Sequence, residues 1–464
     1  MAGTFASLMS PLSALRYSST ALDTAAANIA NANTVGYTRR VVDAVSVGAA
    51  PQVAMWSRPD SSVGGVEVAG VRRSTDLLLD VRVRHEHAFQ AFLDRRASVL
   101  DRLEAGLGEP GDRGVAALMA DLDAAWHDLA NNPGGDAARS QVLDRAATLV
   151  DGLRARARTS ATEAADQRSA LLALVAEVNT VAEELATTNG KIITAQQAGI
   201  DANDLLDRRD LLAQRLSELT GAQGTVRSDG AMDVRLQGVS LVDGRTAGRL
   251  AVATGVTPTG DADGAPVSLA VTLGATTTTV PAGGTGTVGA VVELLDVTLP
   301  AFDTALSEVA RMLADDINAA HAAGYDLDGN PGVALFTYDP ADPAGTLAVA
   351  ITDPRLVAAS ATPGGTLNGE NAIAIADLRG AETTYQRFVS DFGTEVAAAG
   401  RLAETQAVLT TQVDRSRQQL AGVSYDEEMV AMVAAQRTYE AAARMMTVLD
   451  SVLDTLINRT GLVR

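Results

Sequence analysis

Residues 27–40 read ANIANANTVGYTRR, with asparagines at positions 28, 31 and 33 followed by a glycine and a tyrosine. Asparagine is weak inside a helix and favours helix ends and turns. The stretch is therefore either a binding loop or a helix end followed by a sharp turn. In the second case, asparagine side chains bond freed backbone groups and the glycine takes a positive φ. We call this set the Asn-rich turn: Asn28, Asn31, Asn33, Gly36 and Tyr37.

The residues before this turn carry a heptad pattern. Apolar or small residues recur at alternating spacings of three and four from Phe5 to Ile29, which is typical of a coiled-coil seam. Pro11 cannot donate a backbone hydrogen bond, so we expect the continuous helix to begin there with Ser10 as N-cap. The seam residues expected at an assembly interface are Leu8, Leu12, Leu15, Leu22 and Ile29.

The other faces of this helix are nearly free of charge. Between Thr4 and Asn33 the only charged residues are Arg16 and Asp23. A helix on the outside of an ordinary bundle carries more charge on its solvated face. The pattern therefore favours a helix that neighbours surround on several sides.

The C-terminal segment has a matching pattern. Ser424 and Glu427 form a capping box that begins a helix. Its expected interface residues are Met432, Tyr439, Met446, Leu453 and Leu456. We predict that the two terminal helices pair as a coiled coil. One such pair buries too little apolar surface to offset the conformational entropy lost when both segments become ordered. We therefore also predict that both ends are largely disordered in the monomer.

Between its ends the chain is predicted to be mainly α with a β-rich insert, an α+β fold. An Asp229-Gly230 turn and alternating apolar residues after position 223 indicate antiparallel hairpins. The expected domains are terminal coiled-coil helices in 1–45 and 423–464, a long-helix bundle in 46–222, 288–324 and 380–422, and a small antiparallel β outer region in 223–287 and 325–379.

Composition excludes several classes of function. The 464 residues carry a net charge of −20 and no cysteine, which disfavours nucleic-acid binding and rules out disulfides and thiol chemistry. No Sec-type signal peptide is visible, and the longest apolar runs are too short to cross a bilayer. We expect no nucleic-acid partner and no membrane partner.

No catalytic, cofactor or metal site is expected. His85 and His87 are two positions apart and diverge on a helix, so we interpret them as solvated residues. Residues 326–332, DLDGNPG, resemble a calcium loop, but proline replaces the glycine needed at its sixth position. A tight turn is the preferred interpretation. The chain is predicted not to be an enzyme.

The two ends together carry a resemblance. Residues 22–40 resemble the N-terminal signature of the bacterial flagellar rod, hook and hook-associated axial proteins, with Asn28, Ile29, Asn31, Gly36 and Tyr37 among the matches. Residues 424–458 resemble the C-terminal signature of the same proteins. Residues 202–219 and 313–336 look like segments of the hook-associated proteins that form the hook-filament junction. Ala27 replaces the first asparagine of the pattern, and Pro11 departs from the small residue common there.

The resemblance implies a structural subunit of the bacterial flagellum that forms a ring between hook and filament. It implies paired terminal helices in an inner tube and β domains facing outward. The implied partners are other copies of the chain, the hook protein, the second junction protein, a cytoplasmic export chaperone at the C-terminal region and the flagellar type III export apparatus. The implied location is the extracellular flagellum after a transient stay in the cytoplasm. The alternatives are another axial protein, either the hook protein or the second junction protein, or a cytoplasmic coiled-coil scaffold.

Overall fold

A computed structural model of the protein describes residues 2–47, 65–363 and 368–455, with side chains from Ser10 onward. The first helix, α1, spans Ala2–Asn31 and contains Pro11 in its interior. The expectation that the helix begins at Pro11 with Ser10 as N-cap is therefore wrong. A proline removes one backbone donor, and the helical turns on both sides of Pro11 continue despite that loss.

A long β-hairpin follows α1. Strand β1 (Arg40–Val47) pairs antiparallel with β2 (Gly65–Arg73), so that Arg40 lies opposite Arg73. The hairpin runs back along α1, and the backbone N–H of Val66 donates to Ser13 Oγ at 3.3 Å. Strand β2 falls inside the segment 46–222 that was expected to be helical. Its alternating valines fit a pleated strand better than a helix.

Four helices form much of the helical domain between the chain ends, which we call the body. Their bounds are α2 (Leu77–Leu107), α3 (Val115–Asn131), α4 (Asp136–Gln197) and α5 (Asn203–Thr220). The breaks on either side of α3 fall at residues 108–114 and 132–135, which are rich in glycine and contain proline. Gly221 follows the last residue of α5 and takes a left-handed φ of 71°, which favours glycine at a helix C-cap. Asp136 is the first residue of α4, and Gly135 is the N-cap.

The β-rich insert contains two small antiparallel sheets. The first contains β3 (Gln223–Val226), β4 (Met232–Leu236), β5 (Val239–Asp243) and β6 (Thr246–Ala247) in that order. The second contains β7 (Arg249–Thr254), β8 (Ser268–Leu273) and β9 (Thr276–Thr279). The Asp229-Gly230 turn joins β3 to β4, as the sequence predicts.

The chain then returns to helix. Helix α6 (Gly286–Glu293) continues through a π-helical turn (Leu294–Thr298) into α7 (Leu299–Ala323). The next segment holds β10 (Phe336–Thr337), α8 (Pro343–Thr346), β11 (Ala348–Val349), a 3₁₀ turn (Pro354–Leu356) and α9 (Glu370–Ala376). Two long helices, α10 (Gly380–Ala421) and α11 (Tyr425–Asp454), follow.

Residues 325–379 do not form the β-rich region expected from the sequence. In the described part of this segment the two strands are only two residues long and pair with each other. The segment contains Pro331, Pro340, Pro343 and Pro354. Proline has no backbone N–H to donate to a neighbouring strand. The fold is mainly α with small antiparallel sheets, as predicted, but the described β structure lies mainly in the β1–β2 hairpin and in residues 223–279.

The body has two apolar cores. The first core joins α2, α3 and the first part of α4 to α7, α9 and α10, around the buried Trp126 and Tyr385. The second core joins the later part of α4 to α5, α6 and the strands of the β-rich insert, around Leu185 and Leu216. Helix α4, about 90 Å long at 1.5 Å per residue, takes part in both.

Candidate functional site: the joint between the chain ends

The Asn-rich turn forms the centre of a polar joint. Asn28 is fully buried, and its amide group makes four hydrogen bonds. Its Nδ2 donates to the carbonyl of Arg40 at 2.9 Å and to Glu428 Oε2 at 3.0 Å. Its Oδ1 accepts from the Tyr37 hydroxyl at 2.8 Å and from the Arg40 N–H at 3.0 Å. Since an amide offers two donors and two acceptor lone pairs, the bonding capacity of Asn28 is used in full.

The remaining turn residues shape the chain after α1. Helix α1 ends at Asn31, whose side chain donates to the carbonyl of Ala27 at 2.9 Å. Gly36 has a φ of 82°, as predicted, and its Cα faces Leu211 of α5. Asn33 differs from the expectation, because its Nδ2 donates to the Tyr425 hydroxyl at 3.2 Å rather than to a backbone group.

The C-terminal signature completes the joint. Ser424 is the N-cap of α11, as predicted, and accepts from the Glu427 N–H at 3.5 Å. Glu428, one residue further, is buried and accepts from Arg39 Nε at 2.8 Å. The Arg39 N–H also donates to the carbonyl of Ala421 at the end of α10.

Helix α5 attaches the hairpin to the body. The single Nη1 atom of Arg73 lies 3.0 Å from Asp207 Oδ1 and 2.8 Å from Asp210 Oδ2. Arg40 pairs with Asp204, and Asn203 Nδ2 donates to the carbonyl of Val71 at 2.6 Å. The start of α5 therefore contacts both strands of the hairpin.

Burial changes the pKa of two groups in this region. It raises the pKa of Tyr37, whose hydroxyl donates to Asn28. Burial also raises the pKa of Asp80 in α2, and the guanidinium of Arg417 in α10, 3.1 Å away, partly offsets that effect.

Sequence reasoning missed the partners of the Asn-rich turn. Neither the arginines at the ends of the hairpin nor the acidic residues that receive them were candidates. A signal was present, because the arginine pairs 39–40 and 72–73 and the aspartates at spacing three in α5 are complementary in charge. The missed residues are Arg39, Arg40, Arg73, Asp204, Asp207, Asp210 and Glu428.

The predicted seam of α1 is rotated by one residue from its buried face. The fully buried positions Pro11, Ser18, Ala25 and Asn28 recur at heptad spacing. The predicted Leu12 and Ile29 lie one residue after one of these buried positions, and Leu15 and Leu22 lie four residues after one. All four leucine and isoleucine side chains are only partly buried, while Ser19 and Ala26 on the same predicted seam are exposed. Small residues let α1 approach its neighbours closely. The side chain of Leu8 lies outside the described residues.

On α11 the predicted residues lie at the edges of the buried face. Ala435 and Ala442 are buried, whereas Met432, Met446 and Leu453 are partly buried. The Tyr439 side chain is 44% exposed, and Leu456 lies outside the described residues. The structure brings α1 and α11 into extensive contact, and the small residues Ala25, Ala435 and Ala442 are buried there. Many of the large apolar side chains predicted at the interface remain accessible to solvent.

The histidine and acidic motifs form no metal site. His85 is exposed as expected, but His87 is partly buried, with its Nε2 2.9 Å from Asp414 Oδ1 and its Nδ1 3.5 Å from Glu218 Oε1. The interpretation of His87 as a solvated residue is therefore wrong. Asp326 Oδ1 accepts from two N–H groups of its own loop, which confirms the tight turn. Among the described residues, no group of three His, Asp or Glu side chains could hold a metal ion.

None of the helices in the described segments is long and apolar enough to cross a membrane.

Comparison with known proteins places these features in a family. Residues 100–336, about half of the chain, match the family described as "Flagellar hook-associated protein FlgK helical domain". Residues 10–38 match "Flagella basal body rod protein", and residues 418–459 match "Flagellar basal body rod FlgEFG protein C-terminal". The two terminal matches contain Asn28 and Glu428, which meet at the joint.

Whole-chain comparisons agree. The chain is 28% identical to flagellar hook-associated protein 1 of Bacillus subtilis, covering 99% of both chains. It is 24% identical to the Escherichia coli protein of the same name, covering 96% of this chain and 98% of that one. The structure of the hook junction protein FlgK from Burkholderia pseudomallei matches with a TM-score of 0.64 at 16% identity, covering 73% of this chain and 99% of that chain. That likeness concerns the fold. The family match over half of the chain, flanked by the two axial-protein signatures that meet at Asn28 and Glu428, shows that the chain belongs to the flagellar hook-associated protein FlgK family.

Proposed function

We propose that the chain is a structural subunit of the hook-filament junction, in which a ring of copies joins the hook to the filament. The observation that carries this proposal is the pairing of two terminal helices that leave large apolar side chains accessible. Val430, Met445 and Val448 of α11 are 70%, 57% and 61% exposed. Met445 and Val448 are three positions apart and share one face of α11, and exposed apolar surface of this kind is typical of an interaction site.

The remaining faces of α1 support the same role. The half-exposed leucines of α1 lie on a helix with only Arg16 and Asp23 charged between Ser10 and Asn31. A cytoplasmic scaffold helix would need more charge where it meets water. We therefore assign Leu8, Leu12, Leu15, Leu22, Ile29, Met432, Tyr439, Met446, Leu453 and Leu456 to contacts with other copies as well as within the pair.

The proposed mechanism is packing at a fixed angle. Asn28 connects α1 to α11, and Arg73 connects the hairpin to α5, so the terminal pair is attached to the body at two sides of one joint. Identical joints would give every copy in a ring the same geometry. We infer that the turns of α1 and α11 distant from the joint become ordered only among other copies.

The proposed partners follow from the family. They are the hook protein below, the second junction protein above and further copies at the sides. The subunit would leave the cytoplasm through the flagellar type III apparatus with a chaperone at its C-terminal region, and its working location would be extracellular. The β-rich insert would face outward. A different axial protein is the weaker alternative, because relatives named hook-associated protein 1 match almost the whole chain.

Localisation tests the proposal. A peptide tag inserted at Gly264, in an exposed turn between β7 and β8, should be detected by immunogold microscopy at the boundary between hook and filament. The same tag placed in the hook protein is the control for a signal along the hook. Tag detected only in the cytoplasm, or along the whole hook, would contradict the proposal.

A further inference from the structure

The inward face of α4 changes character in the middle of the helix. Leu153 and Leu171 are fully buried in the first and second cores respectively. Between them the buried residues are Ser160, Glu163 and Gln167. The long helix therefore carries two apolar segments separated by a polar one, about 25 Å long at 1.5 Å per residue.

Helix α2 supplies partners for Glu163 and Gln167. Arg95 donates to Gln167 Oε1, with Nη2 at 2.8 Å, and Gln167 Nε2 donates to Glu163 Oε1 at 2.5 Å. Arg102 donates to both oxygens of Glu163, at 3.1 and 2.7 Å. Burial acts to raise the pKa of Glu163, but hydrogen bonds from Arg102 and Gln167 outweigh it and lower the pKa. The network is thus ionised and internally paired.

Helices α6 and α10 join this network through Arg96. Its Nη2 lies 2.6 Å from Glu395 of α10, and its Nε lies 3.5 Å from Glu293 at the end of α6. Glu293 in turn accepts from the Thr298 hydroxyl at 3.0 Å across the π-helical turn. We call this set the polar layer: Arg95, Arg96, Arg102, Ser160, Glu163, Gln167, Glu293, Thr298 and Glu395.

The π-helical turn marks the boundary between the cores. Leu294 belongs to the first core, Val291 to the second, and Leu295 packs against both. At this point the N–H of Leu299 donates to the carbonyl of Leu294, five residues earlier, rather than four. A π turn is a local irregularity of the helix and is often found at functional positions. The polar layer and the π-helical turn thus lie between the same two cores.

We propose that the polar layer divides the helical body into two units that unfold separately, and that the body yields first at this layer. Residues that pack in one continuous apolar core unfold together as a unit. A network of partly exposed ion pairs adds little net stability and does not bind two such units strongly. Arg102 is 47% exposed, so water can replace its partner when the layer opens. Opening the layer therefore exposes little apolar surface compared with opening either core.

The division has a geometric consequence. The second core includes Leu212 and Leu216 of α5, whose first turns hold the joint. The first core carries α9 and residues 335–359. If the body opens at the polar layer, the first core moves relative to the joint. This movement is expected in the isolated chain and does not depend on assembly.

Hydrogen exchange of the full chain in increasing urea tests the division. Amides of α3 report the first core, and amides of α5 report the second. The expected result is two distinct urea midpoints, with residues 154–170 of α4 losing protection at or below the lower one. Loss of protection in both cores at one shared midpoint overturns the proposal.

A layer-filling variant tests the cause. Glu163→Leu combined with Gln167→Leu converts the buried polar positions of α4 to apolar ones and frees Arg95 and Arg102 to reach solvent. The two midpoints should then merge. Thr162→Leu, an exposed position on the same turn, is the matched control and should leave them apart. If the double variant folds and its midpoints stay as separate as those of the natural chain, the layer is not the divider. If it does not fold, the two midpoints of the natural chain decide.

Discussion

Asn28 donates a hydrogen bond of 3.0 Å to Glu428, 400 positions away in the chain. The two residues belong to the two segments that match different axial-protein families, one at each end of the chain. Arg39 binds the other oxygen of the same carboxylate at 2.8 Å. The two terminal signatures are therefore halves of one polar joint, which explains why asparagines stand where α1 must end and the chain must turn.

Removing the Asn28 amide should loosen the joint without unfolding the body. Asn28→Ala leaves buried partners on Arg40 and Glu428 without their hydrogen bonds, which costs about 2 kcal/mol. Amide exchange in residues 425–435 should rise roughly 30-fold, at 1.4 kcal/mol per factor of ten. Asn33→Ala, which removes an exposed contact to Tyr425, is the control. Equal effects of the two substitutions would contradict the central place of Asn28.

A β-branched residue at Gly36 should impair assembly more than folding. A Cβ there would meet Leu211 at an ordinary distance of 3.6 Å, so space is available. The φ of 82° is the obstacle, because the left-handed conformation costs an L-residue about 1–2 kcal/mol. Gly36→Val should change the unfolding free energy of the body little and reduce incorporation into flagella. Gly36→Asn, which tolerates this conformation, should assemble. A Gly36→Val chain that assembles normally would count against the prediction.

Arg73 should matter far more than its neighbour Arg72. Arg73→Ala leaves the carboxylates of Asp207 and Asp210 without their shared guanidinium, in a site where the Arg73 side chain is 9% exposed. Breaking such a buried pair costs about 3 kcal/mol, so amide exchange in β1 and β2 should rise roughly 100-fold. Arg72 is exposed, and Arg72→Ala should have little effect. Matching exchange rates in the two variants would show that the ion pairs do not hold the hairpin.

Asp123 should make the stability of the body depend on pH. Burial raises the pKa of Asp123 from 3.8 to about 6, with Arg379 opposing the effect. A carboxyl whose pKa is higher in the folded chain destabilises the fold above about pH 6, and that effect disappears as pH falls to about 4. Asp123→Asn should therefore raise the unfolding free energy by about 1 kcal/mol near neutral pH and by about zero near pH 3.5, after allowance for partial exposure.

Urea unfolding at the two pH values measures this difference. Asp121→Asn removes a more exposed carboxyl from the same helix and serves as the control. A stabilisation by Asp123→Asn that is the same at both pH values would contradict the assigned cause.

The sequence predicts features that depend on neighbouring residues. The end of α1, the caps at Gly221 and Ser424 and the Asp229-Gly230 turn follow from local backbone preferences, and the structure has each of them. The family resemblance is also local, because it rests on short signatures. These are the parts of the fold in which a few adjacent residues determine the conformation.

Partners far apart in the chain were not predictable in the same way. The heptad pattern of α1 marks apolar residues without saying which neighbour covers them, so it chose the leucines and not the buried Ser18 and Ala25. The carboxylates that bind Arg73 lie more than 130 positions away. The buried Gln167 looks like any surface glutamine of a long helix until its partner on α2 is known.

If the chain is the junction subunit between hook and filament, filaments cannot grow on the hook without it. Electron microscopy of cells in which the gene is deleted, with flagellin assayed in the medium, tests this role. We expect hooks without filaments and flagellin shed into the medium, with filaments restored by the full chain but not by a chain lacking residues 425–464. Normal filaments on the deletion strain would contradict it.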